Sequence, residues 1–167
     1  MRKILNVMFI TIAIFCYGQN DTLKNTIIIK LVSAKLGENL IINNSGQSSL
    51  SCSLGGKYNF IHSTFVNYWT NNFRIFPAVS IDNVLQIGEN EFITSDLIEA
   101  NFINCIVYGN EAREIIFTQS QEAAFNFNFK NSLIRFDDPN GNFEDDLNYD
   151  FLNESLYLNI VRNQNPS

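Results

Sequence analysis

Apolar and polar residues alternate over short stretches along most of this chain, and the alternation returns in copies. The clearest copies are Phe60-Ile-His-Ser-Thr-Phe-Val-Asn-Tyr68 and Phe102-Ile-Asn-Cys-Ile-Val-Tyr-Gly-Asn110. A third is Phe129-Lys-Asn-Ser-Leu-Ile-Arg-Phe-Asp137, and a weaker one starts at Gly37. Aligned as columns, the third position holds Asn39, His62, Asn104 and Asn131, and the fourth holds Leu40, Ser63, Cys105 and Ser132. The sixth holds Ile42, Phe65, Val107 and Ile134. Alternation with period two, closed off by Asn, Gly and Ser, reads as strand and turn and not as helix.

The copies start at 37, 60, 102 and 129, in steps of 23, 42 and 27 residues. The middle step suggests a degenerate copy inside it, at Ile81-Asp-Asn-Val-Leu-Gln86, which puts Asn83 in the Asn column. A period in the twenties is the signature of a solenoid, whose repeats stack only on their neighbours. The expected fold is therefore all-β: a right-handed parallel β-helix of about five to six coils, with one short strand per copy. Asn39, His62, Asn83, Asn104 and Asn131 would form a structural ladder. Asn tolerates left-handed backbone, and its amide can bond to the residue above and below.

Strands are expected over residues 25–32, 39–43, 48–54, 58–68, 75–82, 100–108 and 125–129, with 58–68 the longest. Gly55-Gly56 should be a corner needing unusual backbone angles. Residues 69–74 read as a turn, 86–97 as a wide loop and 137–150 as an acidic excursion. No amphipathic helix offers itself as a cap at either end of the coil.

The first 18 residues belong outside this scheme. Arg2 and Lys3 precede an apolar run from Ile4 to Phe15, and Cys16-Tyr-Gly18 supplies small residues before Gln19. This is the pattern of a secretory signal peptide, too short for a membrane span. Lipidation at Cys16 is disfavoured because Phe15 stands where a small residue is wanted. Residues 19–167 form the β-helix domain on this reading, with no integral membrane span.

Composition supports a packed, exported domain: 46% of residues are hydrophobic, 15 are Phe and only 17% are charged. Losing Arg2 and Lys3 takes the formal net charge from −6 to −8. With no basic stripe to neutralise phosphates, a nucleic-acid partner is excluded. Export would permit a Cys52–Cys105 disulfide, but Cys105 shares a column with Ser63 and Ser132, which favours two small buried thiols.

Candidate chemistry is sparse. Asp138, Asn140 and Asn142 have the alternating oxygens of a Ca²⁺ loop, but Phe143 and Tyr149 stand where that loop wants Gly and Glu. A solvated acidic turn is the reading favoured over a metal, and no other cofactor is implied. His62, the only histidine, sits in the Asn column and reads as a ladder member rather than a base. Tyr68, Trp69 and Phe73 could form an aromatic platform for a sugar ring, although packing across a corner is favoured for large aromatics. No Asp or Glu recurs at any one column.

Gly55–Trp69, Asn104–Asn110 and Ala123–Phe129 resemble segments of secreted right-handed parallel β-helix proteins. These are the pectate-lyase-like solenoids, in particular bacterial surface proteins with a choice-of-anchor Q domain. The resemblance covers residues 37–165 and is similar to the last few coils of those longer proteins, implying a shortened paralogue or a truncated gene. It implies the fold. Enzymes of that superfamily cluster Asp side chains on adjacent coils, which this sequence does not. The expectation is an exported, non-enzymatic protein of structural, adhesive or glycan-binding type, with a surface polysaccharide or other cell-envelope component as partner. A polysaccharide lyase or glycoside hydrolase, or the remnant of one, is the alternative.

Overall fold

The chain visits three parallel sheets in rotation. The computed structural model describes residues 27–30, 33–43, 46–70 and 73–164, with side chains from residue 39 onward. The leader reading of residues 1–18, with Cys16, lies outside the described residues. A first circuit is β1 (Ile27–Lys30), β2 (Ser33–Glu38) and β3 (Ile41–Asn43). A second is β4 (Leu50–Ser53), β5 (Gly56–Ile61) and β6 (Thr64–Asn67). The third runs β7 (Val79–Asp82), a hairpin of β8 (Val84–Gln86) and β9 (Phe92–Thr94), then β10 (Leu97–Ile103) and β11 (Ile106–Gly109). A fourth is β12 (Ile115–Thr118), β13 (Phe125–Lys130) and β14 (Leu133–Ile134), and β15 (Tyr157–Leu158) and β16 (Val161–Arg162) follow. The sheets have the orders β1-β4-β7-β12, β2-β5-β10-β13-β15 and β3-β6-β11-β14-β16. Every pairing in them is parallel; β8 and β9 pair antiparallel, and an isolated antiparallel bridge joins Arg113 and Phe136. The described residues contain one short 3-10 turn, η1 (Leu147–Tyr149), and no helix long and apolar enough to cross a membrane.

Alternation decides which side chains go in. In β5 from Tyr58, and in β10 from Ala100 past an irregularity after Leu97, every second residue is buried, and register puts like on like. Phe60 pairs with Phe102, Phe102 with Phe129, and Phe129 with Tyr157. Their ring centroids are 4.9, 4.5 and 5.9 Å apart, a stack through the middle of the core. The sixth-position column is also in register, Ile42 on Phe65, Phe65 on Val107 and Val107 on Ile134.

Two expected strands are each two strands. The stretch 58–68 breaks at His62, and 100–108 breaks at Asn104. The cause is backbone handedness: Asn39, His62, Asn104, Asn131 and Asn159 have φ of 68°, 53°, 55°, 50° and 54°. One left-handed residue swings the chain from the second sheet into the third without breaking the inter-circuit bonding. Ile106 N still donates to Ser63 O at 2.9 Å, and Leu133 N to Cys105 O at 2.9 Å. An ordinary L side chain in this region costs about 1–2 kcal/mol. Asn131→Ala is therefore expected to lower stability by about 1–2 kcal/mol, and Asn131→Gly by less, in urea unfolding. Equal losses for both would show that handedness does not select Asn.

The 42-residue step is one circuit and not two. The extra length is the β8–β9 hairpin, where the sequence suggested a wide loop. Asn83 consequently does not belong to the ladder. It is fully buried and clamps a distant loop, its side chain donating to the carbonyls of Ser120 and Ala123 at 3.0 and 3.1 Å and accepting from Ser120 N. Asn104 follows His62 directly in the ladder, and Asn159 extends it beyond Asn131.

Candidate functional site

The left-handed corner carries a regular row of polar side chains. Asn159 Nδ2 donates to Asn131 Oδ1 at 3.0 Å, and Asn131 Nδ2 to Asn104 Oδ1 at 3.2 Å. Asn104 Nδ2 lies 3.4 Å from His62 Nδ1, so it donates there when that nitrogen carries no proton. These side chains are exposed. A second row runs along the outer face of the second sheet, where Asn128 donates to Asn101, Asn101 to Asn59 at 2.7 Å, and Asn59 to Glu99 at 2.9 Å. The bond from Asn59, and then Lys57 at 3.1 Å, hold the Glu99 carboxyl below the usual range. Beside the first row lies a groove of about 390 Å³, with Cys105 and Ser132 among its lining residues.

The aromatic candidates occupy the exit from the third sheet. Tyr68 is 40% exposed with its ring tilted against Tyr108, the centroids 6.5 Å apart. Trp69 is half-buried, and its indole N–H is enclosed without a hydrogen-bond partner. Phe73 is 79% exposed. Nearby, Ile75, Phe76 and Pro77 face Ile116 and Phe143 across a cleft of about 200 Å³.

Under this surface is an ion pair that the sequence reading missed. Arg74 and Glu114 side chains are 1% and 0% exposed. Arg74 Nη1 donates to Glu114 Oε2 at 2.9 Å, and Nη2 donates to Glu114 Oε1 and to Asn110 Oδ1. Glu114 also accepts from Ala78 N and Glu111 N. A side chain at Gly109 would collide with Glu114 Oε1 and the Asn67 carbonyl. The available signal was local: each charge stands beside apolar residues, Phe73 and Ile75 around Arg74, Ile115 and Ile116 after Glu114.

The acidic excursion is a cap. Asp138 Oδ2 accepts from Phe143 N at 2.8 Å, and Oδ1 faces Arg113 Nη1 at 3.8 Å. The carboxylate that a cation would need is thus turned to its own loop and to an arginine, while Asn140 and Asn142 are exposed. Among the described residues no three Asp, Glu, His or Cys side chains are grouped to hold a metal ion. Asp138, Asn140 and Asn142 alone supply fewer than the six to eight oxygens that Ca²⁺ takes. What the loop does is cover the core. Tyr149 Oη accepts from Phe117 N at 3.0 Å, giving β12 the partner its sheet stops supplying. Its ring stacks on Phe136 at 4.7 Å, and Phe151 closes over Tyr157 at 4.4 Å. Burial pushes the Tyr149 hydroxyl up to about 12.

Cys52 and Cys105 are free and buried, one in β4 and one at the corner before β11. Burial raises both thiols, Cys105 to about 11. Neither is a nucleophile at neutral pH.

Comparison with protein-family models, curated proteins and solved structures finds no match to this chain.

Proposed function

We propose that the chain is a right-handed parallel β-helix, exported behind residues 1–18, that serves as a non-enzymatic structural or adhesive element and binds a polymer of the cell envelope. Rotation through three parallel sheets supports the solenoid, and parallel crossovers are almost always right-handed. The likeness to pectate-lyase-like surface proteins is part of the same proposal.

One observation carries the non-catalytic reading: carboxylates of this chain are committed to its own framework. Glu114 holds Arg74 and two backbone N–H groups. Asp82 holds Leu54 N and Ser53 Oγ. Asp96 accepts from Ala124 N, Asp138 from Phe143 N, and Asp150 from Leu152 N. A pair of acids working on a glycosidic bond needs freedom to face substrate from both sides.

The test is a panel of soluble polysaccharides, neutral and uronate, read both by retention in affinity electrophoresis and by product formation with Ca²⁺ added. Retention without turnover is expected. Cleavage of any uronate polymer would replace this reading with the lyase alternative.

A further inference from the structure

We infer that the exposed amide row at the left-handed corner, with the apolar row beside it, is a docking track for an extended, uncharged polysaccharide lying along the stacking axis. The inference rests on the polymer-binding reading above and names its surface and ligand class.

The amides have capacity to spare. Asn has two N–H donors and a carbonyl with two lone pairs. In the row, Asn104 and Asn131 each use one N–H and one lone pair on their neighbours. Each exposed amide therefore keeps one donor and one acceptor for a ligand. Rungs repeat at the inter-strand distance, about 4.8 Å, close to the advance of one sugar ring in an extended chain. Hydroxyl groups both donate and accept, so a polyhydroxyl chain matches this surface rung by rung.

The neighbouring row supplies the apolar wall. Ile106 pairs with Leu133 and Leu133 with Val161, all pointing outward on the third sheet. Ile106 and Leu133 are half-buried, and Val161 is 43% exposed. They offer methyl groups to the C–H faces of the rings. The shallow groove between the rows is lined without a single charged side chain.

Charge selects the ligand class. The groove lining holds no cation, so a polyuronate finds no ion pair there. A neutral glycan needs none. Lys130 and Arg162, next in sequence to Asn131 and Val161, are not part of the lining, and Arg162 is stacked on Phe151 at 4.9 Å.

The experiment measures binding of the full chain to a neutral β-glucan, a neutral mannan and polygalacturonate by affinity electrophoresis and calorimetry. The variants are Ile106→Glu, Val161→Glu and, away from the track, Phe73→Ala. Circular dichroism checks each fold, and exposed Val161 covers the case in which Ile106→Glu does not fold. Binding of a neutral polymer, weakened on the order of tenfold or more by Val161→Glu and unchanged by Phe73→Ala, is the expected result. Binding lost in Phe73→Ala and kept in Val161→Glu would overturn the track and leave polymer binding standing. Retention of polygalacturonate alone would do the same. Retention of no polymer overturns both.

Discussion

Replacing Glu114 by glutamine is expected to lower stability by about 3–5 kcal/mol, the cost of leaving one partner of a buried pair uncompensated. The substitution keeps the shape and removes the charge. Arg74, 1% exposed, would be left with Asn110 Oδ1, a neutral amide and the half-exposed Glu111 carboxylate 3.8 Å from its Nε. That amide could not serve all of its donors, since Ala78 N at 2.8 Å and Glu111 N at 2.9 Å also need an acceptor. The damage would spread along one line. Ala78 leads into β7, whose Val79 N donates to Glu114 O, and Ala78 O accepts from Ser49 N and Leu50 N. Arg74→Met should cost as much for the opposite reason, a stranded carboxylate. The double variant should recover part of the loss, because no charge is then stranded, although the one amide oxygen still cannot accept from both Ala78 N and Glu111 N. Urea unfolding decides it. A loss below about 1 kcal/mol, the level of a solvated pair, would mean that water reaches this site.

Such a loss is large against a typical total of about 5–15 kcal/mol, which makes the pair's invisibility in the sequence instructive. Arg74 and Glu114 are 40 residues apart. Nothing in their spacing marks them, because the contact is made by circuits coming round to the same corner. The corner itself was legible. A left-handed backbone position accepts few residue types, so Asn39, Asn104 and Asn131 announce it locally, and His62 stands out only by sharing their column. The same chemistry misled at Asn83. An Asn that turns a corner and an Asn that clamps a loop look alike until their partners are known, and the partners of Asn83 are Ser120 and Ala123.

Circuit length was the weaker signal for a related reason. Stacking constrains the strands and leaves the connections free, so the third circuit can hold the β8–β9 hairpin without disturbing register. Tyr58 still meets Ala100, and Phe60 still meets Phe102, across that insertion. The acidic excursion hid its role differently. Its carboxylates and amides read as a solvated acidic turn, with a metal loop as the lesser alternative, while the residues that matter are Phe143, Tyr149 and Phe151, which finish a core whose first sheet has run out of strands.

Phe102→Ala tests that core at its centre and should cost about 3–5 kcal/mol, the range for a buried aromatic truncated to a methyl. Phe102 is fully buried and lies between Phe60 at 4.9 Å and Phe129 at 4.5 Å, with Phe65 edge-on at 6.1 Å. Its neighbours are fixed to separate strands whose spacing is set by backbone hydrogen bonds, so they cannot close the gap. Most of the ring's volume would remain as a void. The consequence for cooperativity is as sharp as the loss itself. Stacked circuits hold together through nearest-neighbour interfaces, and this ring belongs to two of them. Weakening both should separate the melting of β5 from that of β13, seen in hydrogen exchange as unequal loss of protection on the two sides of β10. Phe73→Ala, at a residue 79% exposed, should change stability by no more than about 0.5 kcal/mol. If the two substitutions cost the same, the aromatic stack is not what joins one circuit to the next.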